Sequence, residues 1–358
     1  MKIAFFGCYG AFDHFKIGGT ESFARRLATG LIDQGHRADF VVYGAPLPHN
    51  SLLASGIGIY YHTDLRAAFH SLQESYDHVI TMYMRPRDRL PYLYFRKSNR
   101  QRLAFHQVYF SWPDSRIKRE AAFLDARLYP FNGRLFCISP RIYRKVSGWS
   151  NRGVLLLPPV PEDFFLDPTS KPTHDKTRVI YIGRTDPGKG IEDAIELFTR
   201  LKHHPDLELE IHGYHGPQRS SVRIHQWLSE QKELRYFPSQ YESYSPEVEQ
   251  NVRRILRDTD ILILPYRKLS STIDTPLLLL EAMASLCAVV TRPMGDIPLI
   301  YGSSPFLLSR SGGIKDAIPS FLQALNSLRH EQERIFHQNK KLAFKDKDLT
   351  GLLINYLS

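Results

Sequence analysis

Val179-Ile180-Tyr181-Ile182-Gly183-Arg184-Thr185-Asp186-Pro187-Gly188-Lys189-Gly190 is the stretch whose reading decides the fold. Four apolar residues in a row have the length of a buried strand. The glycines and the proline that follow make a tight turn. Beyond the turn, Ile191, Ala194, Ile195, Phe198 and Leu201 fall on one face of a helix. Strand, glycine loop and helix together are the repeating unit of a doubly wound parallel sheet. The same unit opens the chain. Ile3–Phe6 reads as a strand, a loop ends in Gly18-Gly19-Thr20-Glu21, and Phe23, Leu27, Leu31 and Ile32 have helical spacing before a second strand at Phe40–Tyr43. Thr20 is the candidate N-cap of that helix, and Gly35 its stop.

Working outward, His78–Met82, Arg102–Phe105, Leu135–Ile138 and Val154–Leu157 add apolar runs before the decisive stretch. Leu207–Ile211, Ile261–Leu264 and Ala288–Thr291 add more after it. Ser139-Pro140 opens a helix with proline at its first position, and Pro276 opens an apolar one. From Pro158-Pro159 to Thr177 the chain is rich in Pro, Asp, Thr and Ser with little periodicity, which suits a domain boundary. The expected organisation is an α/β chain of two Rossmann-like domains facing across a cleft. Residues 1–165 form the first and 175–335 the second. A helical segment, 336–358, returns toward the first.

The 358 residues exceed one ordinary core, and a hydrophobic fraction of 42% supplies material for two. The opening apolar run is too short for a secretory signal, and no uncharged stretch has membrane-spanning length, so a cytoplasmic protein is expected. Cys8, Cys137 and Cys287 lie far apart with no ligand or disulfide spacing, and read as small buried hydrophobes. The formal net charge is +10. Residues 1–160 hold 22 Lys and Arg against 11 Asp and Glu, leaving the remainder at −1. The densest run is Arg85, Arg87, Arg89, Arg96, Lys97, Arg100 and Arg102, continued by Arg116, Lys118 and Arg119 among aromatic residues. It is either a solvated basic face or a contact for something anionic, such as an acidic membrane or a phosphate-bearing acceptor. No recognisable nucleic-acid module accompanies it.

Three features carry candidate chemistry. The 183–190 turn places backbone N–H groups at a helix start, with Arg184 and Lys189 in the same loop, a donor set matched to a diphosphate. The same turn also serves as an ordinary strand-to-helix connection. Glu281 follows Leu277-Leu278-Leu279-Leu280 in an all-apolar helix, where a carboxylate must be paired or hydrogen-bonded. A structural ion pair or a ligand's hydroxyls would satisfy it. Gly18-Gly19 allows a ligand to approach the backbone closely. No serine nucleophile elbow, metal-ligand spacing or dinucleotide fingerprint is present.

Taken together, these segments resemble the large family 4 of retaining glycosyltransferases with the GT-B fold. The likeness runs over nearly the whole chain. It is carried by KIGGTESFARRLATGLIDQGHRADFVV, LAFHQVYF, FCISPRIYRKV, LLLPPVPEDFF, VIYIGRTDPGKGIEDAIELF and DILILPY followed by PLLLLEAMASLCAVVT. The resemblance implies transfer of a sugar from a nucleoside-diphosphate sugar to a glycan, lipid-linked or small-molecule acceptor, with retention and without metal or other cofactor. It implies that Gly183, Arg184 and Lys189 hold the diphosphate and that Glu281 binds the ribose. Gly18 and Gly19 would offer amides near the phosphates and acceptor, and His106 would touch the donor sugar. The base would lie near Tyr236–Ser239. Contact of Arg85–Arg119 with an anionic membrane is a further expectation.

One departure stands out. The family pattern has two glutamates with seven residues between them, and Gly-aromatic-Gly just after the first. Here that first position is Ile273, beside Asp274, in SSTIDTP, and the glycines are absent. Asp274 is the candidate replacement, with hydroxyls from Thr272 and Thr275 assisting at the phosphates. The alternative is a catalytically degenerate homologue acting as a binding partner or scaffold.

Overall fold

The computed structural model describes residues 1–12, 17–53, 55–98, 103–112, 115, 117, 120, 132–214, 219–241, 243–268, 272–309, 314 and 317–358, with backbone alone at 96–98 and 219. The chain divides into two compact units. The first is Met1–Pro159 with Phe344–Ser358, and the second is Val160–Ala343.

The first unit contains, in order, β1 (Lys2–Cys8), α1 (Gly19–Asp33), β2 (Arg37–Tyr43), β3 (His49–Leu52), β4 (Gly58–His62), α2 (Leu65–Ser75) and β5 (His78–Tyr83). It continues with α3 (Arg89–Ser98), β6 (Ala104–Tyr109), β7 (Leu135–Cys137), α4 (Pro140–Ser147) and β8 (Gly153–Leu155). The sheet order is β3-β4-β2-β1-β5-β6-β7-β8, parallel except for β3. β1 and β2 are buried at six of seven positions, the signature of strands covered on both faces. Ser139 caps α4 through its hydroxyl, which accepts from the Ile142 N–H. The cap of α1 is Gly18 rather than Thr20, which lies inside the helix. A Cβ on Gly18 would sit 2.6 Å from the Glu21 carboxylate, which folds back over the helix start. Gly35 (φ +80°) follows the last turn in left-handed conformation.

The second unit contains β9 (Thr177–Arg184), α5 (Ile191–Leu201), β10 (Leu207–Tyr214), α6 (Arg219–Glu230), β11 (Arg235–Pro238) and α7 (Pro246–Arg257). There follow β12 (Ile261–Leu264), α8 (Leu277–Ala284), β13 (Ala288–Thr291), α9 (Ile297–Tyr301), α10 (Ile318–Leu325) and α11 (Leu328–Lys341). All strands are parallel, in the order β11-β10-β9-β12-β13. Val179, Tyr181, Ile261, Ile263 and Val290 meet the apolar face of α5 in one core. The last helix, α12 (Asp346–Leu357), belongs to the first unit, where it packs on α1.

The crossing into the second unit falls between Pro159 and Val160. The unpatterned stretch after it packs on that unit, with Phe164 buried and the Leu166 N–H bonded to Ala284 O at 3.0 Å. All three cysteines are buried. Burial raises the thiol pKa of each, to about 12 for Cys137 and about 11 for Cys287.

Candidate active site

In a doubly wound sheet, a ligand crevice opens where strand order reverses, outside the carboxyl ends of the strands. In the second unit that point lies between β9 and β12. β9 ends in Arg184, and β12 leads to Pro265 and Tyr266. The decisive loop therefore sits at the switch point.

Gly190 makes the junction close. It is left-handed (φ +80°), and a Cβ there would lie 2.0 Å from Pro265 O. Only glycine lets the start of α5 come so near the end of β12. Lys189 closes a single 3-10 turn, its N–H donating to Asp186 O at 2.9 Å. Its ammonium lies 4.9 Å from the centroid of the Tyr266 ring. Burial, then the Arg184 guanidinium, against the opposing pull of Asp186, bring the Lys189 pKa down to about 8. Arg184 Nε pairs with Asp186 Oδ2 at 3.0 Å. The other carboxylate oxygen, Oδ1, is buried without a hydrogen-bond partner among the described residues.

Glu281 lies on α8, whose leucines are almost all buried, and is itself 6% exposed. Its charge reaches the loop. Burial raises the pKa of Tyr266, its hydrogen bond with Thr272 lowers it, and Glu281 and Arg184 act on it in opposite senses. Burial likewise raises the pKa of Tyr214, to about 12, with Glu281 adding to the effect. Arg184, Lys189, Thr272 and Glu281 thus share one neighbourhood around Tyr266. Asp274 and Thr275 are fully buried just before α8, and the Thr275 hydroxyl is without a partner among the described residues. Residues 269–271 of the intervening loop lie outside the described set.

The loop after β12 is anchored by residues that sequence reading did not single out. Arg267 grips Asp193 on α5 with two hydrogen bonds, 3.2 Å and 2.8 Å. Arg292 bonds to Asp193 Oδ2 at 2.9 Å and to Pro265 O at 3.0 Å. Burial disfavours the Asp193 charge, but the two guanidinium groups prevail and hold its pKa low. Tyr236 and Ser239 border Gly213 at the ends of β10 and β11. The Ser239 N–H donates to Gly213 O at 2.7 Å.

The first unit holds the remaining candidates. Gly18 and Gly19 begin α1, after residues 13–16, which lie outside the described set. His106 is placed differently from expectation. It lies in the middle of β6, opposite Ile80, rather than at the strand's carboxyl end. Its Nδ1 accepts the Arg134 N–H at 2.9 Å, so Nε2 carries the proton toward His78 Nδ1 at 3.2 Å. Both ring nitrogens are used inside the unit, and the residue is 3% exposed. Burial, then His78 and Arg134, push its pKa down to about 3. Contact with a donor sugar through this ring is thereby removed from the assignment. In the basic run, Arg85 pairs with Asp88 at 2.6 Å, Arg87 is exposed, and Leu90 and Tyr94 project from α3 at 67% and 83% exposure. The Arg96 and Lys97 side chains and Arg100, Arg102, Arg116, Lys118 and Arg119 lie outside the described residues.

Residues 176–328 match the family Glycosyl transferases group 1. Over 99% of the chain the structure is similar to sucrose-phosphate synthase from Thermosynechococcus elongatus, at 15% identity, a TM-score of 0.69 and 98% coverage of that chain. HepE of Anabaena in complex with UDP and glucose matches at 14% identity and a TM-score of 0.68, covering 100% and 99%. The fold is GT-B. The catalytic domain of starch synthase IV from Arabidopsis thaliana, bound to ADP and acarbose, shares this GT-B fold at 11% identity, with a TM-score of 0.64 and coverage of 100% and 98%. No curated protein matches by sequence. The second unit is a glycosyltransferase domain in a GT-B chain. No group of residues able to hold a metal ion occurs among the described residues, and no described helix is long and apolar enough to cross a membrane.

Proposed function

We propose that this chain transfers a sugar from a nucleoside-diphosphate sugar to a hydroxyl of a glycan or lipid-linked acceptor, with retention. The observation that carries the reading is the gathering of Arg184, Lys189 and Glu281 around Tyr266 at the switch point. Arg184 and Lys189 take the diphosphate, Gly183 and the α5 amides approach it, and Glu281 accepts hydroxyl protons from the ribose. As the bond from the anomeric carbon to the β-phosphate oxygen breaks, negative charge grows on the diphosphate. The two cations and the helix start are already in place for it. The acceptor hydroxyl attacks from the same face, and its proton passes to the departing phosphate oxygen. The fixed cations supply the charge stabilisation, so the reading includes no metal. Thr272, Asp274 and Thr275 adjoin the phosphates and sugar. HepE with UDP and glucose, and starch synthase IV with ADP, support UDP or ADP as the carrier.

Titration with UDP and ADP tests the reading. One of them is expected to bind, and Arg184→Ala or Glu281→Ala to weaken it at least tenfold. Binding of neither nucleotide would sink the assignment. The absent first glutamate supports a second reading, a nucleotide-binding homologue without transferase activity. Donor that binds but is never hydrolysed or transferred favours it. We also propose that Arg87, in the turn just before α3, together with Leu90 and Tyr94 on α3, meets anionic lipid. Equal sedimentation with neutral and acidic vesicles at low salt would count against that contact.

A further inference from the structure

The stretch after Pro159 reads as a linker, yet it carries a buried lysine with an unusual set of partners. Lys171 is 6% exposed. Its Nζ lies 2.6 Å from Thr259 O, 2.8 Å from Ser285 O, 3.2 Å from Arg257 O and 3.3 Å from Leu256 O, with Cys287 Sγ at 3.8 Å. No carboxylate is among these five contacts. An ammonium has three protons, so five acceptors exceed simple hydrogen bonding and approach the coordination of a monovalent cation by carbonyl oxygens. The oxygens come from negative helix ends, Leu256 and Arg257 closing α7 and Ser285 capping α8, where a cation is favoured.

The turn that Lys171 holds is strained. After α8 the Leu286 N–H donates to Met283 O, and the Cys287 N–H to Ala282 O at 2.8 Å. That pattern is a Schellman motif, whose left-handed position usually takes glycine. Here it is Leu286 at φ 56°, the one non-glycine residue with positive φ among the described residues. The contacts of Lys171 fall on its two neighbours, Ser285 and Cys287. Ser285 also donates its N–H to Glu281 O at 3.0 Å. The linker adds Leu166 N–H to Ala284 O, and the Ser285 hydroxyl to Phe164 O at 3.4 Å. The ammonium is therefore one backbone hydrogen bond from the Glu281 main chain.

We propose that Lys171 is a tethered cation that sets the position of the Glu281 helix, making it a positioning residue for nucleotide binding. The carbonyl cage it fills accepts a free potassium or ammonium ion once the side chain is removed. The positioning role rests on the function proposed above; the cage does not.

Lys171→Ala empties the cage, whereas Lys171→Met removes the charge but keeps it filled. Melting temperature and affinity for whichever of UDP and ADP binds the unaltered protein are read in tetramethylammonium, potassium and ammonium chloride. In tetramethylammonium both variants are expected to melt several degrees lower and to lose about tenfold in nucleotide affinity. Potassium or ammonium restores most of both in Lys171→Ala and neither in Lys171→Met. On a Glu281→Ala background, Lys171→Met costs no further affinity. Cation-independent melting of Lys171→Ala overturns the cage. Losses that add fully with Glu281→Ala overturn the positioning role. If the alanine variant does not fold in tetramethylammonium, the methionine variant still decides positioning, and the alanine variant's refolding yield against salt identity still decides the cage: recovery in potassium or ammonium supports it, and a yield unaffected by the cation overturns it. Failure of the unaltered protein to bind either nucleotide overturns the proposed function, while the melting data test the cage independently.

Discussion

At the scale of single residues, protonation states set two measurable dependences on pH. Lys189 has its pKa lowered to about 8 by burial, so its charge is complete below that value and fades above it. A bound diphosphate favours the charged form. Nucleotide affinity is therefore expected to hold from pH 6 to 7.5 and to fall above pH 8, by up to about tenfold per unit for one linked proton. Isothermal titration across that range checks this. Lys189→Arg should flatten the decline, because a guanidinium stays protonated throughout. His106 works in the other direction. Its folded pKa, about 3, is below the ordinary 6.5. The unfolded chain then binds the proton first as pH falls. Stability is present in full above pH 6.5 and is lost from there toward pH 3, by at most about 1.4 kcal/mol per unit. His106→Gln should shallow the slope of unfolding free energy between pH 6 and 4, measured by urea denaturation. An unchanged slope would assign the acid sensitivity to other groups.

At the scale of elements, the α5 start tests how close packing builds the switch point. Gly190→Ala must place a methyl against Pro265 O while holding a left-handed backbone. Destabilisation of more than about 2 kcal/mol is expected, with nucleotide binding weakened as the loop is displaced. Thermal melting and titration of the same sample check both. The elements also show what was legible in the sequence. β1, β2, β12 and β13 are buried nearly end to end, and β9 through its central Val179–Ile182, so apolar runs revealed them. β3 is exposed at all four positions and β11 at most of its own, so neither carries a pattern. Arg184, Lys189 and Glu281 were readable because each breaks a local rule, two as charges in a turn and one as an acid in an apolar helix. Tyr266, the Arg267–Asp193–Arg292 anchor and Lys171 were not. Their roles come from contacts between segments 70 or more positions apart, which no local spacing encodes. His106 misled for the same reason: its partners His78 and Arg134 lie 28 residues away on either side.

At the scale of the whole molecule, chain order and structural unit do not coincide. The last fifteen residues complete the first unit, although the entire second unit separates them from it in sequence. Phe344, Leu349 and Leu353 are buried there, and α12 lies so close to α1 that a Cβ on Gly30 would meet Thr350 Oγ1 at 2.3 Å. Gly30 is thus the place where the two helices touch. Gly30→Ala adds helix propensity to α1, which in isolation would stabilise by up to about 1 kcal/mol. Overpacking against α12 opposes that by about 1–3 kcal/mol, so net destabilisation is expected. Ending the chain at Ala343 removes α12 outright and should lower the first unit's stability further. Neither change touches Arg184, Lys189 or Glu281. Hydrogen exchange should therefore show faster opening of β1 and β2 in both variants, with β9 and β12 protected as before and nucleotide affinity unaltered. Loss of protection in β9 together with β1 would show that the two units unfold as one, and that the terminal helix governs both.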